Sequence, residues 1–113
     1  EPGKGRYVSF LGLNERAVPT YRFAGITIYA DKSRLEIDGR PVTLSPTEFL
    51  ILKLFVKEPG RFYSRDEIQS FVWGDNEPVS ARTIDVNISR LRKKLGNYGA
   101  NIVSCPGTGY GLV

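Results

Sequence analysis

The sequence predicts an α+β domain: an antiparallel β-sheet, then a three-helix bundle, then a C-terminal β-hairpin. Three observations predict it. Residues 21–44 are short β-rich runs divided by turn residues. The middle of the chain carries three helix starts, each opened by a serine (Ser45, Ser64, Ser80), and each helix has a glycine at or near its end (Gly60, Gly74, Gly96). Two β-rich runs then flank Pro106-Gly107-Thr108-Gly109 near Val113. A length of 113 residues suits one domain with a real hydrophobic core.

Residues 1–20 (EPGKGRYVSFLGLNERAVPT) show little periodicity and several Gly and Pro, and read as a linker or N-terminal arm. A short strand at Tyr7–Leu11 is the alternative. The domain proper is expected over residues 21–113. Its first strands fall at Tyr21–Phe23, Ile26–Tyr29, Arg34–Ile37 and Pro41–Leu44, and Asp38-Gly39 between apolar runs is a hairpin signal. In LSPTEF, Ser45 is an N-cap, Pro46 takes the first helical position and Glu48 closes a capping box. Leu44 and Phe49 are spaced as a hydrophobic staple. This helix runs to about Lys57, is apolar nearly all round, and so belongs at the centre. YSRDEI repeats the device with Ser64, Glu67, Tyr63 and Ile68, predicting a helix from Arg65 to Trp73. After the loop GDNEPVS, Ser80 caps a third helix over Ala81–Leu95. The hairpin pairs Ile102–Cys105 with Tyr110–Val113.

Composition removes several classes of chemistry. There is no histidine, which excludes His-based triads, bases and metal sites. The single cysteine, Cys105, has no partner for an internal disulfide, which fits a reducing compartment. No apolar run approaches a membrane span and no secretory leader pattern appears, so a cytoplasmic location without membrane contact is expected. The chain begins at Glu1 and lacks methionine, and reads as a piece of something longer. No catalytic residue, metal ligand or cofactor is expected.

Charge is concentrated. Lys and Arg total 16 against 12 acids, a net charge of +4. Residues 81–95 (ARTIDVNISRLRKKL) hold Arg82, Arg90, Arg92, Lys93 and Lys94 against Asp85 alone, so this segment carries the whole surplus. Ile84, Ile88, Leu91 and Leu95 form one narrow apolar stripe for packing. Opposite lie Arg82, Val86, Ser89 and Lys93, with Arg90 beside them, while Arg92 and Lys94 flank the stripe. A solvated charged face is the plain alternative. Yet acidic i,i+4 partners are scarce, and Val86 among cations suits a thymine methyl while arginines suit guanine edges or phosphates. With the preceding helix and loop, this predicts a helix-turn-helix variant that binds double-stranded DNA, Arg90, Arg92, Lys93 and Lys94 contacting phosphates, Arg82, Val86 and Ser89 reading bases, and the terminal hairpin forming a wing.

The stretches IDGRPVTLSPTEFLILKLF, GRFYSRDEIQSFVWG, ARTIDVNISRLRKKL and CPGTGYGLV resemble the effector domain of OmpR/PhoB-type response regulators, a winged helix-turn-helix. The resemblance covers residues 21–113. It implies a four-stranded N-terminal sheet and promoter binding, commonly as head-to-tail homodimers on direct-repeat half-sites. It places Arg82, Val86, Arg90 and Arg92 at bases and phosphates, and Tyr110 at the wing tyrosine; Thr83, next to Arg82, is a further expected DNA contact. Trp73 falls where the family touches the sugar-phosphate backbone, with core filling as the alternative. Ser64 and Arg65 open a helix whose N-terminus can receive a phosphate. The loop holding Asp75, Asn76 and Glu77 corresponds to a segment that often touches RNA polymerase, with a plain surface loop as the alternative. A receiver domain and sensor kinase are implied outside this chain, and a receiver-free one-component regulator is the variant reading. Departures are Asn87 for a frequent histidine, Ser89 for a frequent basic residue, and Pro106 for a wing arginine. They imply fewer phosphate or minor-groove contacts, or a different target.

Two other classes compete. A winged-helix protein-interaction module would show no DNA footprint. A nucleotide-binding enzyme using GTGYG would need G-x-G-x-x-G between a strand and a helix; here the glycines alternate and a strand follows. Gly107 and Gly109 are expected to permit the turn, Gly111 to leave room where strand packs on helix, and Thr108 or Tyr110 to donate to DNA phosphates.

Overall fold

The computed structural model describes residues 20–30 and 33–113. The alternative strand at Tyr7–Leu11 lies outside the described residues. Strands β1 (Thr20–Phe23), β2 (Ile26–Tyr29), β3 (Arg34–Ile37) and β4 (Arg40–Val42) form an antiparallel sheet in sequence order. Asp38 and Gly39 both take positive φ, 52° and 82°, the pairing a two-residue hairpin turn requires between Ile37 and Arg40. The turn sets β4 two residues earlier than expected at its end: the strand stops at Val42, and Thr43-Leu44 leads into the helix. Alternation puts Tyr21, Phe23, Ile26, Ile28, Leu35, Ile37 and Val42 on the core face.

Helix α1 (Pro46–Lys57) begins as its sequence predicts. Ser45 Oγ accepts from the Glu48 N–H at 3.1 Å, and Glu48 Oε1 accepts from the Ser45 N–H at 3.0 Å. Its Ile51, Leu52 and Phe55 are wholly buried, and it packs against α2 (Arg65–Val72) and α3 (Ala81–Lys94). Each such side chain contributes roughly 1.5–3 kcal/mol of transfer free energy. The Ser64–Glu67 capping box forms too. Both later helices end one residue before their expected ends, with Trp73 and Leu95 as C-caps ahead of Gly74 and Gly96.

Two elements escape the sequence reading. Phe62–Tyr63 is a two-residue strand, β5, too short to show alternation; it pairs with β7 (Gly109–Leu112), which also pairs with β6 (Ile102–Cys105). The hairpin is therefore part of a three-stranded sheet ordered β5-β7-β6. Gly96–Asn101 is a 3₁₀ segment whose Tyr98 hydroxyl donates to Asp38 Oδ1 at 2.7 Å, tying it to the β3–β4 turn. The extra strand also corrects the role of Gly111. A Cβ there would stand 2.6 Å from the Arg61 carbonyl oxygen and 3.1 Å from the Phe62 ring, so the glycine makes room for strand β5 and not for a helix.

Candidate nucleic-acid interface

Helix α3 is built to present one face. Ser80 Oγ accepts from the Thr83 N–H at 3.1 Å and shares a hydrogen bond with Thr83 Oγ1, so the helix start is capped and Thr83 is engaged there. Ile84, Ile88, Leu91 and Leu95 are at most 1% exposed and hold the helix on the core. Turned the other way, Arg82, Ser89, Arg90 and Lys93 are exposed and Val86 is half-buried among them. The side chains of Arg82, Arg90 and Lys93 make no ion pair or hydrogen bond among the described residues. Their charge is open to an anion. Asn87 instead donates to the Thr83 carbonyl at 2.8 Å, within the helix.

The other predicted cations are committed inside the fold. Arg92 donates through Nε and Nη2 to the Ile102 carbonyl at 3.0 and 2.8 Å, fastening α3 to β6. Lys94 Nζ lies 2.7 Å from Glu48 Oε1. Burial would push the Glu48 carboxyl up, but the Lys94 ammonium and the Ser45 N–H and hydroxyl outweigh it and hold it below the ordinary range. One carboxylate thus caps α1 and anchors the end of α3. Arg65, at the start of α2, grips Asp85 by Nε to Oδ1 at 3.0 Å and Nη2 to Oδ2 at 3.1 Å. The Tyr110 hydroxyl donates to the same Oδ1 at 2.7 Å, and its ring is 7% exposed.

The hydrogen bonds from Arg65 and Tyr110 hold the Asp85 carboxyl below its ordinary range. Because the folded state lowers this pKa, its stabilising effect is complete above the ordinary carboxylate range and is lost as pH falls through the folded value. Urea midpoints of the wild type should therefore decline on the acid side, and Asp85→Asn should remove part of that decline. Equal acid slopes for the two proteins would contradict it. The effect near neutrality is modest, since both side chains are over a third exposed to screening water.

The remaining predicted residues surround this face. Ser64 is taken up in its capping box, and Trp73 is half-buried against the core at the end of α2. Thr108 is exposed at the hairpin tip, its N–H donating to the Cys105 carbonyl at 3.0 Å. Asp75, Asn76 and Glu77 are exposed, with Asp75 Oδ1 accepting from Ser70 at 2.7 Å. Residues 96–113 contain no charged side chain, so the hairpin is electrically neutral beside a cationic helix. Sequence reasoning missed Glu48 and Asp85 as anchors. The signal for Asp85 was its isolation as the one acid in a basic helix; for Glu48 nothing local pointed to Lys94. Among the described residues no three His, Cys, Asp or Glu side chains are grouped to hold a metal ion, and no helix is long and apolar enough to cross a membrane.

A capped cationic helix packed on two others and tied to a β-hairpin defines a winged helix-turn-helix DNA-binding domain. The family model for "Transcriptional regulatory protein, C terminal" matches residues 39–112, and the chain belongs to that family, as an effector domain of the OmpR/PhoB type. It is 41% identical over 87 residues to the phosphate regulon transcriptional regulatory protein PhoB of Pseudomonas aeruginosa, covering 76% of this chain and 38% of that protein. Among solved structures, the DNA-binding domain of CpxR from Escherichia coli is 28% identical with a TM-score of 0.75, covering 84% of this chain and 96% of that one. The RstA DNA-binding domain of Klebsiella pneumoniae, in complex with the RstA box, is 29% identical with a TM-score of 0.74, covering 83% and 96%. The chain spans 37–44% of the length of the curated relatives it matches.

Proposed function

We propose that residues 21–113 bind promoter DNA sequence-specifically as the output domain of a two-component response regulator, with residues 1–20 as the arm leading into them. The observation that carries this is the open stripe on α3, where Arg82, Arg90 and Lys93 have no anionic partner among the described residues. Arg82, Val86 and Ser89 read base edges in the major groove, and Arg90 and Lys93 meet phosphates. Arg92, Lys94, Arg65 and Tyr110 hold the helix and wing in place for that contact, while Ser64, Thr83, Trp73 and Thr108 line its margins against the DNA backbone. The domain works as head-to-tail homodimers on direct-repeat half-sites, without enzymatic chemistry and in the cytoplasm. A receiver domain and its sensor kinase lie outside this chain, and the loop with Asp75, Asn76 and Glu77 faces RNA polymerase. RstA, whose domain was crystallised on its box, supports DNA as the ligand.

Selection of bound duplexes from a random pool tests the reading. Two enriched half-sites in direct repeat are expected; no enrichment over shuffled competitors would sink it. On the selected site, Arg82→Ala should relax preference at one base position by about 1–3 kcal/mol, while Lys93→Ala should weaken all sequences alike. Uniform loss from both substitutions would make Arg82 a phosphate contact.

A further inference from the structure

Asp85 is the one acid in a basic reading helix, and a carboxylate beside DNA phosphates repels them. Its oxygens are engaged from two directions. Arg65 comes from the first residue of α2 and Tyr110 from β7, and both converge on Oδ1. Arg92, seven residues further along α3, stands on the same flank and holds β6 at Ile102. The guanidinium carbons of Arg65 and Arg92 lie 5.9 and 5.7 Å from the Tyr110 ring centroid, so the wing tyrosine is gripped at its hydroxyl and beside its ring. Reading helix, helix α2 and wing therefore meet at a single carboxylate.

We propose that Asp85 is a specificity-determining positioning residue, which withholds the Arg65 charge from DNA and sets the wing against the reading helix. The inference rests on the DNA-binding reading above. A paired arginine and aspartate add no net attraction for phosphate. Cutting the pair frees a cation at the start of α2, where the backbone N–H groups and the helix dipole already favour an anion. Binding to any DNA then strengthens while the wing loosens, and discrimination falls from both sides. A residue that only supported the fold would act differently, weakening selected and shuffled DNA together.

The test uses the 113-residue chain on its selected duplex and on a shuffled one, across a range of salt. D85N should bind the shuffled duplex more tightly than wild type. Its plot of log affinity against log salt should steepen by about 0.9, one phosphate contact. The selected-to-shuffled ratio should fall by about tenfold, within the span that separates specific from non-specific binding. Adding R65A to D85N should return the salt slope to the wild-type value. Y110F leaves the Arg65–Asp85 pair intact, so it should lower the ratio without changing the slope, and it carries the test if D85N does not fold. An unchanged ratio in a folded variant overturns the proposal, as does equal weakening on both duplexes at constant slope. A wild-type chain that does not prefer the selected duplex overturns the DNA-binding reading itself.

Discussion

Gly109→Ala should cost about 3 kcal/mol or more of stability, a large share of the roughly 5–15 kcal/mol that holds a small domain together. Two effects combine. Gly109 has φ of 140°, a conformation side chains rarely adopt, at about 1–3 kcal/mol. A Cβ there would also collide with the Tyr63 carbonyl oxygen and stand 2.9 Å from Ser64 Cα, all backbone, which cannot rotate away. Overpacking of this kind typically adds about 1–3 kcal/mol. The least costly escape is separation of β7 from β5, which would release Tyr110 from Asp85 and free the wing. Gly107→Ala is the control: its φ is 81°, but a Cβ would meet nothing within 4 Å. Gly107→Ala carries the backbone strain alone, about 1–3 kcal/mol, so its urea midpoint should fall between those of wild type and Gly109→Ala. Equal midpoints would show that the close approach to β5 has no energetic weight.

The open cations of α3 should contribute at most about −2.7 per copy of the domain to the slope of DNA affinity against salt, that is −0.9 for each of three when all reach phosphates. Those cations are Arg82, Arg90 and Lys93. Between 50 and 200 mM salt this slope gives a loss of about 40-fold per copy. Counting Arg65, Arg92 and Lys94 as well would double the slope to about −5.4 and make the loss about 2,000-fold. The two outcomes are far apart in a titration at several salt concentrations. A slope near −5.4 would mean that the bonds to Asp85, Ile102 and Glu48 open on DNA. The neutral hairpin contributes nothing to the slope, since Pro106 stands where a cation would have added to it.

The local elements were legible because their causes are local. Ser45 and Ser64 with their glutamates three residues on, Ser80 with Thr83, and Asp38-Gly39 all formed as their chemistry predicts. The four-three-four spacing of Ile84, Ile88, Leu91 and Leu95 located the buried side of α3. What stayed hidden depends on residues far apart in sequence. Strand β5 exists only because β7 comes alongside, and its two residues carry no pattern of their own. The open face of α3 could be read from its lack of nearby acids, but the fate of each cation could not. Glu48 reaches Lys94 across 46 positions, and Arg65 reaches Asp85 across 20. The sequence shows the cations but not which of them are bonded within the fold.

The pairing of β5 with β7 also orders events during folding. Phe62 waits for Gly111, roughly fifty residues downstream, and such distant partners close late because loop entropy must be overcome first. Leu112, wholly buried, and its carbonyl, which accepts from the Gly60 N–H at 2.7 Å, belong to the same late step. On a ribosome making about 5–20 residues per second, the sheet and α1 emerge seconds before the strand that seals them. During that interval Phe55 and Tyr63, which stack with centroids 5.8 Å apart in the finished domain, lack the cover of the last strand. The seal of this domain is thus the final piece to arrive, and the GTGY stretch is as much a latch on assembly as a wing.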